Sequence, residues 1–229
     1  MIVCCALLLL SLAADDDGPP VVPALVVPAE EPYLNFDLWD VPRPTHGPSS
    51  LQVLGGHYVL VNAEGARLGI RRDGTYGWLN FDYDLATIRV ESVVSPNFKQ
   101  GTWLEGYGSL LFDLTYGSIT RDFGSYFAGP SILGRYTFAY DRWRLHPYLQ
   151  GGVGFVITDA HHDLGQRLIG GNFEFLLQLQ GGVQFLIGER WSIDVEGGLQ
   201  HISNASTQHR NVGVNDLGAQ VGVTYRFGR

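Results

Sequence analysis

The fold of this chain is decided by residues 173–185, which read FEFLLQLQGGVQF. Side chains on a β-strand point alternately to two opposite faces. In this stretch the apolar side chains share one face and the polar ones share the other: Phe173, Phe175, Leu177, Leu179, Val183 and Phe185 against Glu174, Gln178, Gln180 and Gln184. The apolar residues do not recur at helical spacing, so the stretch is predicted to be a strand with one apolar face.

Similar alternation runs through most of the chain on both sides of this stretch. It predicts eight strands at about residues 51–62, 78–95, 102–116, 126–140, 144–158, 171–187, 190–203 and 214–227. The pattern is clearest in the last four strands and weakest in the second. Eight such strands joined in chain order predict an all-β protein, an eight-stranded antiparallel transmembrane β-barrel.

Alternation alone does not say which face of the barrel points outward. A soluble ligand-binding barrel has its apolar face inside, whereas a membrane barrel has it outside. Three features favour the membrane. The polar face is rich in glutamine and the chain has one lysine, Lys99. The strands have the ten or so residues that a tilted crossing needs. The short turns at 139–142 and 187–190 lead into Trp143 and Trp191, as an interfacial aromatic girdle requires.

These features predict a barrel of the bacterial outer membrane. Its short turns would face the periplasm, and the longer segments near 63–77, 117–125, 159–170 and 204–213 would face outward. Charged residues on the polar faces are predicted to form a network inside the narrow barrel: Glu105, Asp113, Glu174, Asp194 and Glu196 with Arg135 and Arg226.

The region before the barrel has a different composition. Residues 1–14 contain an apolar run that ends at Ala13-Ala14, and they are predicted to be a signal peptide. Both cysteines, Cys4 and Cys5, lie within it, so the mature chain is expected to have neither disulfides nor thiol chemistry. Residues 15–50 hold eight of the eleven prolines and are predicted to be an extended arm. The barrel is therefore assigned to residues 51–229.

The composition also bears on binding partners. A net charge of −8 gives no basic face for nucleic acid. The segment with Asp159, His161, His162 and Asp163 contains metal-ligating residue types, but it lies in a predicted outer loop and is interpreted as solvated. Neither a metal nor another cofactor is expected.

The residues that could perform chemistry lie near the outer end of the seventh strand, in the sequence His201-Ile202-Ser203-Asn204-Ala205. His201 and Ser203 are two residues apart and therefore point to the same, apolar side of the strand. If the following hairpin is symmetric about Gln208, Asn215 of the eighth strand faces His201. Serine, histidine and asparagine would then form a nucleophile, a base and an orienting group.

This motif, with Asn211-Val212-Gly213-Val214-Asn215 and the closing Tyr225-Arg226-Phe227, resembles the lipid A 3-O-deacylase (PagL-like) family. The resemblance implies an outer-membrane barrel that removes an ester-linked acyl chain from lipid A, with His201 as base and Ser203 as nucleophile. It also implies that Asn204 and Asn211 help to form the oxyanion site. The family often has glutamate as the third member, where this chain has Asn215. An amide can orient imidazole but cannot stabilise imidazolium by charge.

The function predicted from the sequence is therefore a serine-type ester hydrolase that acts on lipid A or a related outer-leaflet lipid. The alternative is a non-enzymatic structural or adhesive outer-membrane barrel, in which the His-Ser pair has no chemical role. A soluble ligand-binding barrel is a further alternative. The sequence leaves open whether the protein is a monomer or a homo-oligomer.

Overall fold

The computed structural model describes residues 46–63, 67–139 and 143–227. The predicted signal peptide over 1–14 and most of the predicted arm over 15–50 lie outside the described residues. The last residues assigned to that arm are described, and they already belong to a strand, because the first strand begins at Gly47.

Eight strands form a closed antiparallel barrel, in which the last strand pairs with the first. The barrel strands are β1 (Gly47–Leu60), β4 (Tyr83–Phe98), β5 (Gly106–Ile119), β6 (Tyr126–Phe138), β7 (Leu145–Thr158), β8 (Phe173–Leu186), β9 (Trp191–Ser203) and β10 (Val214–Arg226). Two short strands, β2 (Leu68–Ile70) and β3 (Tyr76–Trp78), form a separate hairpin between β1 and β4. The predicted fold class is confirmed.

The second predicted strand shows the largest error in position. It was predicted over 78–95, but β4 spans Tyr83–Phe98, and Trp78 pairs instead with Leu68 in the small hairpin. The next strand is displaced in the same direction, from a predicted start near 102 to Gly106. Alternation is a poor guide to β4 because its inward face mixes apolar Tyr83 and Leu85 with polar Arg89 and Glu91, although the burial itself alternates regularly there. Register shifts interrupt the β4–β5 ladder farther on, between Val93 and Phe98.

The outer wall of the barrel is apolar. In β8, Phe173, Phe175, Leu177 and Leu179 are exposed, whereas Glu174, Gln178 and Gln180 are buried in the lumen. Exposed apolar residues continue around the other barrel strands, and Trp143 and Trp191 are exposed beside the short connections. Among the described residues, no helix has the length and hydropathy to cross a bilayer. The interpretation as a soluble barrel is wrong, because its apolar face would point inward, and the chain is an outer-membrane barrel.

A network of buried charges crosses the middle of the lumen. Its centre is Arg89, which donates to Asp113 Oδ1 and to Glu196 Oε2 at 2.8 Å each. Arg135 lies 3.8 Å from Glu91 and 3.9 Å from Glu196. The sequence predicted Asp113, Glu196 and Arg135 as members of an interior network, but it missed Arg89, which lies on the strand with the weakest pattern.

Apolar side chains fill the outer half of the lumen, a feature that the sequence did not predict. Tyr58 stacks on Tyr83 with ring centroids 5.4 Å apart, and Phe127 meets the Tyr83 ring edge to face. Leu176, Ile202 and Val214 belong to the same buried cluster. This packed cluster lies on the lumen side of the outer ends of β8, β9 and β10. Close packing there restricts movement of the strands that carry the exterior residues.

The outer loops are tied to each other by side-chain to backbone hydrogen bonds. Asp159 Oδ1 accepts from the backbone nitrogens of Ser125 and Tyr126 at 2.7 and 3.2 Å. Partial burial raises the pKa of the Asp159 carboxyl, but these hydrogen bonds outweigh it and hold the pKa below its usual value. Asp163 accepts from Gly124. Both carboxylates therefore have structural roles, and within the described ranges no group of three or more metal-ligating side chains occurs.

Candidate active site

The three residues predicted to act together lie at the outer ends of β9 and β10. The ladder between these strands pairs His201 with Asn215 and Leu199 with Leu217. The predicted symmetric hairpin is thereby confirmed. Because His201, Ser203 and Asn215 all have outward parity, their side chains lie on the exterior wall of the barrel.

His201 is hydrogen-bonded on both sides of its ring. Its Nε2 lies 2.8 Å from Ser203 Oγ, and its Nδ1 lies 2.8 Å from Asn215 Oδ1. These distances are typical of strong hydrogen bonds, and the arrangement is that of a nucleophile, a base and an orienting group. The structure thus brings together the three residues that the sequence singled out.

A residue that sequence analysis missed fixes the orientation of Asn215. Asn62 Oδ1 accepts from the Asn215 backbone nitrogen at 2.6 Å and from Asn215 Nδ2 at 3.3 Å. Asn62 in turn donates to the Gly213 carbonyl at 2.8 Å. Since the Asn215 amide nitrogen is engaged by Asn62, its oxygen is the atom that faces His201.

This orientation determines the tautomer of His201. An amide oxygen can only accept, so the proton of neutral imidazole lies on Nδ1, and Nε2 is left as an acceptor. The Ser203 hydroxyl is then the donor in the bond to Nε2. The ring is therefore in the tautomer that a general base needs in order to remove the serine proton.

Gly213 lies against the imidazole ring and has a positive φ of 74°. A Cβ added there would lie 2.9 Å from His201 Cε1 and 3.2 Å from Ser203 Cβ. The residue must therefore be glycine for two reasons, its backbone conformation and the close approach of the ring.

Replacing Gly213 with alanine should therefore displace His201 from its hydrogen bonds. We expect the reactivity of Ser203 to fall by about 10²-fold, the loss that a small misplacement of the neighbouring base can produce. The rate of covalent labelling of Ser203 by a lipophilic fluorophosphonate measures this effect, with Gly74→Ala as the control for strain at positive φ away from the site. Equal rates for the two variants would contradict a close-packing requirement at Gly213.

The two asparagines predicted for the oxyanion site differ in placement. The Asn204 side chain has inward parity and is fully buried, with Nδ2 donating to the Arg210 carbonyl at 3.0 Å and lying 3.4 Å from Glu174 Oε1. Its backbone nitrogen donates to Asn211 Oδ1 at 2.8 Å. Asn211 itself is partly exposed in the same loop. The side chain of Asn204 therefore points away from Ser203, and parity along the chain could have shown this.

The turn after Ser203 has an unusual backbone. Ala205 and Ser206 have positive φ angles of 51° and 66°, which L-residues other than asparagine and aspartate seldom adopt in succession. Asn211 Nδ2 lies 3.4 Å from Ser206 Oγ across this turn. The turn therefore holds the Asn211 amide group against Ser206, in the loop that follows Ser203.

The surroundings of the three residues are apolar. Ser203 pairs with Phe175 and His201 with Leu177 on the neighbouring strand β8, and both partners are exposed. Leu199 and Leu217 are exposed on the periplasmic side of the polar group. The polar group therefore lies at the outer end of an apolar wall, directly beside the exposed side chains of Phe175 and Leu177.

Comparisons with known proteins bear on the identity of the chain. The family model described as lipid A 3-O-deacylase (PagL) matches residues 66–224. The crystal structure of the outer membrane enzyme PagL is 16% identical and covers 75% of this chain and 97% of its own, with a TM-score of 0.45. The crystal structure of Neisserial surface protein A is 15% identical and covers 78% of this chain and 97% of its own, also with a TM-score of 0.45. The crystal structure of Ail of Yersinia pestis is 11% identical and covers 80% of this chain and 100% of its own, with a TM-score of 0.24. No curated protein sequence matches the chain.

Proposed function

The chain belongs to the lipid A 3-O-deacylase (PagL) family, and we propose that it hydrolyses an ester-linked acyl chain of lipid A with Ser203 as nucleophile, His201 as general base and Asn215 as the orienting group. One observation carries the proposal: His201 bridges Ser203 and Asn215 with two 2.8 Å hydrogen bonds on the lipid-facing wall. No metal is required, because the serine is activated by the imidazole alone.

In the first step the Ser203 oxygen forms a bond to the ester carbonyl carbon while its proton passes to His201 Nε2. The electron pair of the carbonyl moves to its oxygen, which becomes an oxyanion. The bond to the sugar oxygen then breaks, and this oxygen takes the proton from His201. Water repeats the sequence on the acyl-enzyme and releases the fatty acid and free Ser203.

Asn211 is the candidate donor for the oxyanion. Its Oδ1 accepts from the backbone nitrogen of Asn204, which fixes the amide plane, and its Nδ2 has two hydrogens, of which the bond to Ser206 Oγ uses one. Asn204 contributes by holding Asn211 in this orientation through its backbone, while its side chain is anchored to Arg210. A donor that is oriented before the reaction stabilises the developing charge without reorganisation.

Asn215 in place of an acid makes the site weaker than a charged triad. The amide keeps the imidazole in the required tautomer because Asn62 holds its nitrogen. It does not supply a negative charge to the imidazolium that forms during attack. We therefore expect a functional site whose base is well oriented but less strongly supported than one backed by a carboxylate.

The test is the replacement of Ser203 with alanine in the full-length protein. We expect fatty-acid release from lipid A to fall by about 10³-fold or more, since the nucleophile is lost. Mass spectrometry of lipid A incubated with the purified, folded protein measures the release. Ser95→Ala, at the periplasmic end of β4, is the control and should keep the wild-type rate.

The result also separates the two functions that the sequence left open. A wild-type protein that is folded and yet releases no fatty acid from lipid A would favour the structural or adhesive barrel. Release that persists unchanged in the Ser203→Ala variant would instead assign the hydrolysis to another nucleophile.

A further inference from the structure

A second polar pair lies on the lipid-facing wall, on β1 and β4. His57 and Asp84 face each other across the ladder between these strands, and His57 Nδ1 lies 2.8 Å from Asp84 Oδ1. Their side chains are 51% and 68% exposed, on a wall whose other exposed side chains are mostly apolar. Ionisable side chains on a lipid-facing wall are rare and mark functional sites, and this pair leaves most of the Asp84 side chain exposed beyond its contact with His57.

The position of the pair relative to the candidate active site is set by the strand register. His57 pairs with Ala219 on β10, four residues from Asn215 toward the periplasm. Four residues of strand and one interstrand step place the two sites roughly 14 Å apart along the wall. Asp84 is the second residue of β4 at its outer end, as Asn215 is of β10, so the pair lies beside the candidate active site near the outer rim of the barrel.

The wall around the pair is open. Gly55 and Ala86 pair with each other directly on its periplasmic side, and Ala219 lies beside His57 on β10. A Cβ added at Gly55 would meet nothing nearer than the Leu85 carbonyl oxygen at 3.9 Å. Farther toward the periplasm the exposed side chains are apolar, with Val53 opposite Ile88. Because Gly55, Ala86 and Ala219 have little or no side chain, they leave a low stretch of wall, here called the depression, between the polar pair and the exposed Val53 and Ile88.

The chemistry of the pair indicates what it binds. A carboxylate only accepts, so Nδ1 of His57 carries a proton, and Nε2 lies on the side of the ring that faces away from Asp84. The exposed Asp84 carboxylate accepts hydrogen bonds, so it suits a hydroxyl donor and disfavours an anionic phosphate group by charge repulsion. A ligand with a hydroxyl above and an acyl chain below matches both ends of the depression.

We propose that His57, Asp84 and the depression around Gly55 form a second lipid subsite, which binds a sugar hydroxyl of an acylated sugar in the outer leaflet. The identity of that lipid as the substrate rests on the proposed function. The subsite would hold one part of the molecule while another part presents its ester to Ser203. An interaction made equally with the bound substrate and with the transition state lowers KM and leaves the chemical step unchanged.

The test uses full-length protein with Ser203→Ala, so that bound lipid is not consumed. Two variants are added to it: His57→Phe removes the polar pair but keeps a ring, and Gly55→Leu fills the depression but keeps the pair. Tyr225→Phe is the control, because it removes an exterior hydrogen bond with Arg190 at the periplasmic end of the same wall. Native mass spectrometry in detergent measures binding of lipid A and of phosphatidylethanolamine to each protein.

We expect both subsite variants to weaken lipid A binding about fivefold to tenfold, because His57→Phe removes one or two hydrogen bonds and Gly55→Leu blocks access to them. Binding of phosphatidylethanolamine should stay unchanged. In the Ser203 protein the same variants should raise KM and leave kcat near its original value. Lipid A binding equal to the control would overturn the proposal, as would an equal loss for phosphatidylethanolamine. If wild-type protein does not hydrolyse lipid A, the proposed function fails, but the binding measurement still decides the subsite.

Discussion

Replacing His201 with alanine is expected to lower lipid A deacylation by about 10³-fold or more, and adding Ser203→Ala to the same chain is expected to lower it no further. The reason lies in the two hydrogen bonds of the ring. Without Nε2, the Ser203 hydroxyl has no base within reach, and an unactivated hydroxyl is a poor nucleophile. Residues that act as one unit lose their whole effect when either is removed, so the two losses do not add.

The measurement compares initial rates of fatty-acid release for the two single variants and the double variant. His209→Ala is the matched control, since His209 is an exposed histidine in the loop between β9 and β10. Heat-modifiable mobility on gels shows that each variant is folded. A double variant slower than both single variants by the product of their losses would mean that His201 and Ser203 act independently, and the proposed mechanism would be wrong.

The arrangement of His201, Ser203 and Asn215 could be predicted from sequence because its geometry is local. Parity along β9 places His201 and Ser203 on one face, and a symmetric hairpin of known length places Asn215 opposite His201. The outward direction of that face followed from the glutamine-rich opposite face and the scarcity of lysine. Each of these properties depends on residues within one hairpin, which alternation describes well.

The parts that could not be predicted depend on the closure of the barrel. Asn62 lies 153 residues from Asn215 in the sequence and meets it only because β1 pairs with β10. The pairing of His57 with Asp84 likewise requires the register between β1 and β4, across a connection that contains the unpredicted β2–β3 hairpin. A one-residue error in register would move a side chain to the other face, so such contacts cannot be read from a weak pattern.

The interior network shows why a residue on a poorly patterned strand can still be central. Arg89 is 1% exposed, and its guanidinium contacts the buried carboxylates of Asp113 and Glu196 at 2.8 Å, closer than Arg135 lies to Glu196. Gln52 also accepts from it at 2.9 Å. Alternation measures only the contrast between the two faces of a strand, whereas the importance of Arg89 comes from β5 and β9, which surround it in the closed barrel.

Replacing Arg89 with methionine should therefore destabilise the barrel strongly. The substitution leaves the carboxylates of Asp113 and Glu196 buried without their main partner, and breaking a buried ion pair in this way costs about 3–5 kcal/mol. Denaturant unfolding in lipid vesicles, followed by tryptophan fluorescence, measures the change in the free energy of unfolding. A variant that does not fold under conditions where the wild type folds would also agree with the expectation.

Arg121→Met is the matched control for this substitution. Arg121 lies 3.5 Å from Asp82 in an ion pair at the outer rim, and its side chain is 63% exposed. Solvent screens such pairs, so its loss should change the free energy of unfolding by about 1 kcal/mol or less. Adding Glu196→Gln to Arg89→Met should recover part of the free energy of unfolding, because it removes one of the two carboxylate charges that have lost Arg89 as a partner. Equal losses for Arg89→Met and Arg121→Met would mean that the buried network does not hold the barrel together.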